Sequence, residues 1–336
     1  MLGAAAGRYD IGEMMWRGLL ILGAFAAALA APAQERKFEL RGRIEPSPRE
    51  FVPVMLHGSD FPYNATATSD KRGRFRFKKL DPGQYAVVIT MEGQGTIRRT
   101  VEVGPSMADS KGRVKVVIPF EPSAESLEAS GTVSVGQLTI PGKAWKEYSR
   151  AQKALNKRDV TGAIARLHKA VEIAPHFVGA WNNLGVIAYQ TGRYVDAEKY
   201  FRQALEHEPG AYMPMVNLGG ALLSQNRFKE ALPYNKEALK MRPQEALPNS
   251  QLGLNYSFLG QDELGLKHLI IAREIDPNHF SHPQITLARI YTRRGENENA
   301  ARELRDFLSR HPDSDDAESV RKWLSLVQKE ETPQSP

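Results

Sequence analysis

Four side chains recur at one interval: Ser149, Asn183, Asn217 and Gln251, each 34 residues after the last, with Thr286 following after 35. A side-chain amide carries both a hydrogen-bond donor and an acceptor. A regular row of them can hold the main chain of an extended polypeptide without reading its side chains. The same row can instead serve local hydrogen bonds within the fold. Beside it stand Trp145, Tyr148, Gln152, Asn182, Val186, Tyr189, Met213, Val216, Leu247, Leu254 and Phe258, an apolar and aromatic set. Cations able to clamp a terminal carboxylate are missing from this set until Arg289 and Arg293. The ligand expected is therefore an extended or helical apolar segment of another protein, not an acidic C-terminus.

A second group has different chemistry. Arg74, Arg76 and Lys78 alternate with Phe75 and Phe77, so on a strand they share one face. Lys71, Arg72 and Lys79 flank them. Such a strip suits an anionic envelope surface or an acidic glycan; it is also what an ordinary solvated sheet face looks like. Aromatic side chains do not interleave on the basic face, so the stacking platform of single-strand binders is missing and nucleic acid is not an expected partner.

Little else in the chain suggests chemistry. There is no cysteine, which excludes disulfides, thiolate metal sites and a cysteine nucleophile. No phosphate-cradling glycine loop, His-Glu-x-x-His pair or Gly-x-Ser-x-Gly elbow occurs. The eight histidines are scattered; His279, His282 and His311 fall near repeat boundaries, at spacings unsuited to a metal. Acidic residues such as Glu198 sit four before a cation, here Arg202, as on a solvated helix face. No catalytic, metal or cofactor residue is nominated, and an enzyme is not expected.

The amide row needs elements that repeat. Pro175, Pro209, Pro243 and Pro277 are 34 residues apart, and Pro312 follows after 35. Twelve before each proline is a small residue: Ala163, Ala197, Ala231, Gly265 and Ala300. A fixed period of this size means stacked supersecondary units. Each copy holds two runs of helical periodicity, with proline closing the second because it lacks the N–H a helix needs. The second copy is clearest: Trp181-Asn182-Asn183-Leu184-Gly185, then Gly192, Tyr194, Ala197, Phe201, Ala204 and Pro209. These residues resemble the tetratricopeptide repeat family. The resemblance implies a solenoid of five helix pairs over residues 144–312, with a groove lined by the first helix of each pair. Asn ladders in that family bind peptide main chains, and this row looks like one. The first copy has Glu147 where the family carries Trp. The third has Asn235 where a large apolar residue is usual, and Pro233 inside its second helix, where a kink is expected. Residues 313–329 read as one amphipathic capping helix, started by Asp313 or Ser314, with Val320, Trp323, Leu324 and Val327 on one face.

Residues 34–120 read as an all-β sandwich: alternation at 37–44, 52–57, 74–78, 84–89, 96–103 and 114–119, with turn residues between. This part carries 16 Lys/Arg against 10 Asp/Glu, whereas residues 121–336 balance at 27 against 27. The net charge of +6 thus belongs to the β region, and weakly favours an anionic partner. The run Thr68-Ser69-Asp70-Lys71-Arg72-Gly73-Arg74-Phe75-Arg76-Phe77-Lys78-Lys79-Leu80-Asp81-Pro82-Gly83-Gln84-Tyr85 resembles the carboxypeptidase regulatory-like domain, a transthyretin-like β-sandwich. The resemblance implies a structural or adhesive role without catalytic residues.

The remaining segments complete the plan. Arg17 precedes an apolar run over 18–31, followed by the small-x-small sites Ala28-Leu29-Ala30 and Ala31-Pro32-Ala33. This is a signal peptide over 1–33, cleaved or kept as an anchor, with Met14 or Met15 as the expected start. Residues 121–143 form a linker with alternation at Val133, Val135, Leu138 and Ile140, and residues 330–336 a disordered tail. The chain thus reads as a multidomain α and β protein, exported to the periplasm, cell envelope or medium. The leading expectation is a non-catalytic scaffold holding a partner segment in the repeat groove. The alternatives are a glycan- or envelope-binding module acting through the sandwich, and an accessory subunit of an envelope enzyme.

Overall fold

The computed structural model describes residues 37–121 and 139–330; the expected signal peptide, most of the linker and the tail beyond 330 lie outside the described residues. Seven strands form two sheets: β1 (Phe38–Glu45), β2 (Pro53–Gly58), β3 (Asn64–Thr68), β4 (Arg74–Leu80), β5 (Gly83–Met91), β6 (Gly95–Val103) and β7 (Arg113–Pro119). One sheet has the order β4-β1-β7, the other β3-β2-β5-β6. β1 and β7 run parallel, and the other pairs antiparallel. Between the sheets lie Leu40, Ile44, Leu56, Leu80, Tyr85 and Ile89, all fully buried. β3 is a strand that the alternation pattern misses, because Asn64-Ala65-Thr66-Ala67-Thr68 has no large apolar residue to mark its inner face.

The motif residues act through backbone geometry as well as packing. Gly73 closes the β3–β4 turn at φ 75°, and the Asp70 carboxylate accepts the N–H groups of Arg72 and Arg74, both at 2.9 Å. Simple alternation from Phe75 and Phe77 would turn Lys79 inward and Leu80 out. Instead Lys79 adopts φ 60° and the β1–β4 register shifts there, so Leu80 returns to the core and Lys79 faces solvent.

Eleven helices follow within the described residues: α1 (Gly142–Asn156), α2 (Val160–Ile173), α3 (Val178–Gln190), α4 (Tyr194–His207), α5 (Tyr212–Ser224), α6 (Phe228–Met241), α7 (Ala246–Phe258), α8 (Asp262–Ile275), α9 (Pro283–Arg293), α10 (Asn297–Arg310) and α11 (Ala317–Glu330). The first ten make five antiparallel pairs, and α11 covers the last with Val320 and Val327 against Leu304 and Phe307. Every turn inside a pair uses a left-handed residue: Arg158, Gly192, Asn226, Gly260 and Gly295, with φ between 58° and 74°. That conformation ends a helix and suits glycine, so two of the five turns carry strain in a side-chain-bearing residue.

Close approach within pairs depends on the small residues. A Cβ on Gly185 would meet the Phe201 ring, and one on Gly219 would meet the Asn235 amide. Asn235 replaces the usual apolar contact with a buried hydrogen bond from its Nδ2 to Asn255 Oδ1, at 3.2 Å. α6 runs through Pro233 as a single element. α11 starts at Ala317, later than the sequence suggests, because the Asp313 carboxylate bonds Ser106 of the sandwich instead of capping a helix. Glu198 is buried, not solvated; besides Arg202 it accepts from Gln225 and Arg227 of the next pair.

Candidate functional site between the sandwich and the repeats

The β3-β2-β5-β6 sheet is covered on both sides. Its inner side chains pack on the other sheet; its outer ones face the first helices of the repeat pairs. This explains why Tyr85-Ala86-Val87-Val88-Ile89 of β5 is buried at every position, where a half-solvated strand would alternate. The two parts pack as one compact unit.

Polar contacts run the length of this interface. Near the first pair Asn64 bonds Gln152, and Asp81 pairs with Arg158 at the strained α1–α2 turn. Gln190, at the end of α3, donates to the Gly58 carbonyl at 2.9 Å. Further along, Asp276 accepts the Thr100 N–H at 2.9 Å, on the free edge of β6. Glu102 Oε2 lies 2.7 Å from His311 Nδ1. Gln84 reaches both His282 and His311, at 3.4 and 3.3 Å.

This packing perturbs the titratable groups. Burial lowers the His279 pKa to about 3, helped by the Arg98 charge. Burial, with His311 and His279 beside it, lowers His282 to about 3 as well. His57 on β2 falls to about 4, again through burial first and Arg98 second. Burial raises Asp276, against the pull of its hydrogen bonds to Thr100. Four of the eight histidines, His57, His279, His282 and His311, thus lie where sandwich and repeats meet.

Between the docked surfaces remains a cleft of about 680 Å³. Tyr148, Gln152, Asn182, Asn183, Val186, Tyr189, Met213, Asn217, Leu247 and Gln251 line it, ten of the groove residues nominated from sequence. The sandwich contributes Met55, His57, Asn64, Thr66, Ala86 and Arg98 to the same space. Ser149 is exposed outside this lining, and Leu254, Phe258 and Arg289 lie apart from it. Phe258 stacks on Phe228 with centroids 4.4 Å apart, and the Arg289 guanidinium sits 5.8 Å over the Phe258 ring. Burial and the neighbouring Arg293 charge lower the pKa of Arg289.

The amide row does local work. Asn183 Nδ2 donates to the Tyr148 hydroxyl and Asn217 Nδ2 to Asn182 Oδ1, each at 3.0 Å. Ser224 donates to the Tyr189 hydroxyl, also at 3.0 Å. These bonds join α1 to α3 and α3 to α5. Burial raises the pKa of Tyr148 and of Tyr189, keeping both hydroxyls neutral. Two amides of the row, those of Asn183 and Asn217, thus donate within the repeats. The Gln251 Oε1 acceptor differs: it is buried and without a partner among the described residues.

The basic strip is partly compensated. Arg74 pairs with Asp70 at 2.6 Å. Glu39 takes Arg41 at 2.7 Å and Arg76 at 3.9 Å, while Lys78 is exposed.

Comparison with known families agrees with the helix pairs. Tetratricopeptide-repeat models match residues 177–244 and 286–314. The helical array is a tetratricopeptide-repeat solenoid. Among solved structures, PilW, described as a widely conserved type IV pilus biogenesis factor, is 21% identical, covering 57% of this chain and 88% of its own at a TM-score of 0.51. MamA from Desulfovibrio magneticus RS-1 is 21% identical over 53% of this chain and 99% of its own, TM-score 0.47. YrrB, described as a TPR protein with an unusual peptide-binding site, is 21% identical over 56% and 98%, TM-score 0.45. At 21% identity the likeness to PilW is one of fold alone, and each of the three structures covers little more than half of this chain. Among curated protein sequences nothing matches the chain.

Proposed function

We propose that this chain is an exported, non-catalytic scaffold that holds a segment of another protein in the cleft between its sandwich and its tetratricopeptide repeats. The observation that carries the reading is the shared lining: ten nominated groove residues and the outer face of the β3-β2-β5-β6 sheet bound one space. An open repeat groove would bind along its length. Here the chain's own sandwich covers much of that face, so the partner enters a two-sided cleft instead. The apolar run at 18–31 supports export. The sandwich is read as carboxypeptidase regulatory-like because Phe75, Phe77, Leu80 and Tyr85 of that motif fill its core.

The test is photocrosslinking in the source cell, with a benzophenone amino acid at Met213 in the cleft and, as control, at the exposed Val195 on α4. One defined polypeptide adduct from position 213, absent from 195, is the expected result. Equal labelling from both positions, or none from 213, contradicts it.

A further inference from the structure

We propose that the cleft selects a polypeptide segment with an internal Asp or Glu, and that Arg98 on β6 binds its carboxylate. This rests on reading the cleft as a polypeptide site and names what that polypeptide must carry. The lining holds no Asp or Glu, while it includes Arg98 and, at its exposed margin, Lys153. The Arg98 side chain makes no ion pair or hydrogen bond among the described residues, and it is half-buried. Its charge is felt by His57, Tyr212 and His279, which places it between the sheet and the middle repeats. Of the carboxylates on that side, Glu245 is already held by Arg242 and by the Tyr212 hydroxyl, each at 2.8 Å, Asp276 by the Thr100 N–H and Glu102 by His311, while Glu121 and Glu274 are exposed. A half-buried cation without a partner is ready to take an incoming carboxylate in a charge-assisted, two-pronged bond.

The second observation is the orphaned Gln251 Oε1 in the same cleft, which needs an N–H. A peptide supplies both the N–H and the carboxylate. Apolar side chains find Val186, Met213, Leu247 and Phe280 nearby. Arg98 also lines a neighbouring cleft of about 870 Å³ along β6 and β7. A bound segment can therefore continue past it on either side, which favours an internal acidic residue over a chain terminus. The repeats alone lack this cation, which is why they read as apolar. The sandwich brings it.

The experiment passes a random library of acetylated, amidated decapeptides over the immobilised full chain. Wild type is expected to retain peptides enriched in Asp or Glu at one position. Arg98→Gln is expected to lose that enrichment and bind acidic peptides on the order of tenfold more weakly, with unchanged melting. Arg98→Lys should restore part of it, and Arg98→Glu should shift the enrichment to Lys or Arg. Peptides retained without acidic preference, or retained only with a free C-terminus, overturn the role of Arg98 while leaving the peptide site standing. Retention of anionic oligosaccharide with no peptide at all overturns both.

Discussion

The buried Asp276 carboxylate accepts the backbone N–H of Thr100 at 2.9 Å, so a repeat-array side chain caps the open edge of the sandwich's β6. A free strand edge is a hazard that proteins cover, and here the cover doubles as the interdomain contact. Asp276→Ala leaves that N–H buried and unpaired, at about 1–3 kcal/mol. Asp276→Asn keeps an acceptor and removes a charge whose burial is unfavourable, so it should be milder. Hydrogen exchange at the Thr100 amide, at fixed pH, reads both; unchanged protection in the alanine variant would count against the contact.

Docking should weaken in acid. His57, His279 and His282 have pKa values near 4, 3 and 3, below the ordinary 6.5. The docked form therefore binds fewer protons than the undocked one. Their contribution is fully present above about pH 6.5 and is lost as pH falls from there toward the docked values, by up to about 1.4 kcal/mol per unit for each histidine. Around them stand Arg98, Gln84, Glu102, Ser281 and His311. Asp276 opposes the trend, because its raised pKa favours docking once it is protonated. Three groups outweigh one, and the radius of gyration by small-angle scattering should rise between pH 7.5 and 5. A constant radius would contradict this.

Strained turns offer a test of backbone geometry. Lys79 and Asn226 hold φ 60° and 58°. Lys79→Gly and Asn226→Gly should each stabilise the fold by a few tenths to about 1 kcal/mol in urea unfolding. Arg158→Gly removes similar strain but also its pairing with Asp81, so its gain should be smaller or reversed.

The paired amides make a prediction about the free protein. Asn183→Ala and Asn217→Ala each remove a bond between successive repeats, so each should destabilise the array by about 1 kcal/mol without any ligand. Side chains reserved for gripping a partner would leave the free protein's stability unchanged.

Much of this was legible from spacing. Prolines and small residues at a constant step mark the five helix pairs, and Phe75, Phe77, Leu80 and Tyr85 mark the sandwich core. What spacing hides is contact between distant segments. The amides of Asn183 and Asn217 look alike whether they face a ligand or the preceding helix; only the placement of Tyr148 and Asn182 decides. His279, His282 and His311 are far in sequence from Gln84 and Glu102, so their cluster has no local signature. One signal was available: Ala86 and Val88 sit on the face of β5 that should be polar if it met solvent. That excess of apolar residues announces a cover on the second face, and the repeats are the only described element large enough to supply it. Arg98 carries no such mark.

The central claim is that the sandwich sits on the repeat face and closes the cleft. The chain has no cysteine, so a pair placed at Asn64 and Gln152, which bond each other across the interface, reports this contact alone. Treated with a short bismaleimide, Asn64→Cys with Gln152→Cys should give one intramolecular product in high yield, and Asn64→Cys with Val195→Cys none. Equal, low yields from the two pairs would mean that the sandwich does not occupy that face.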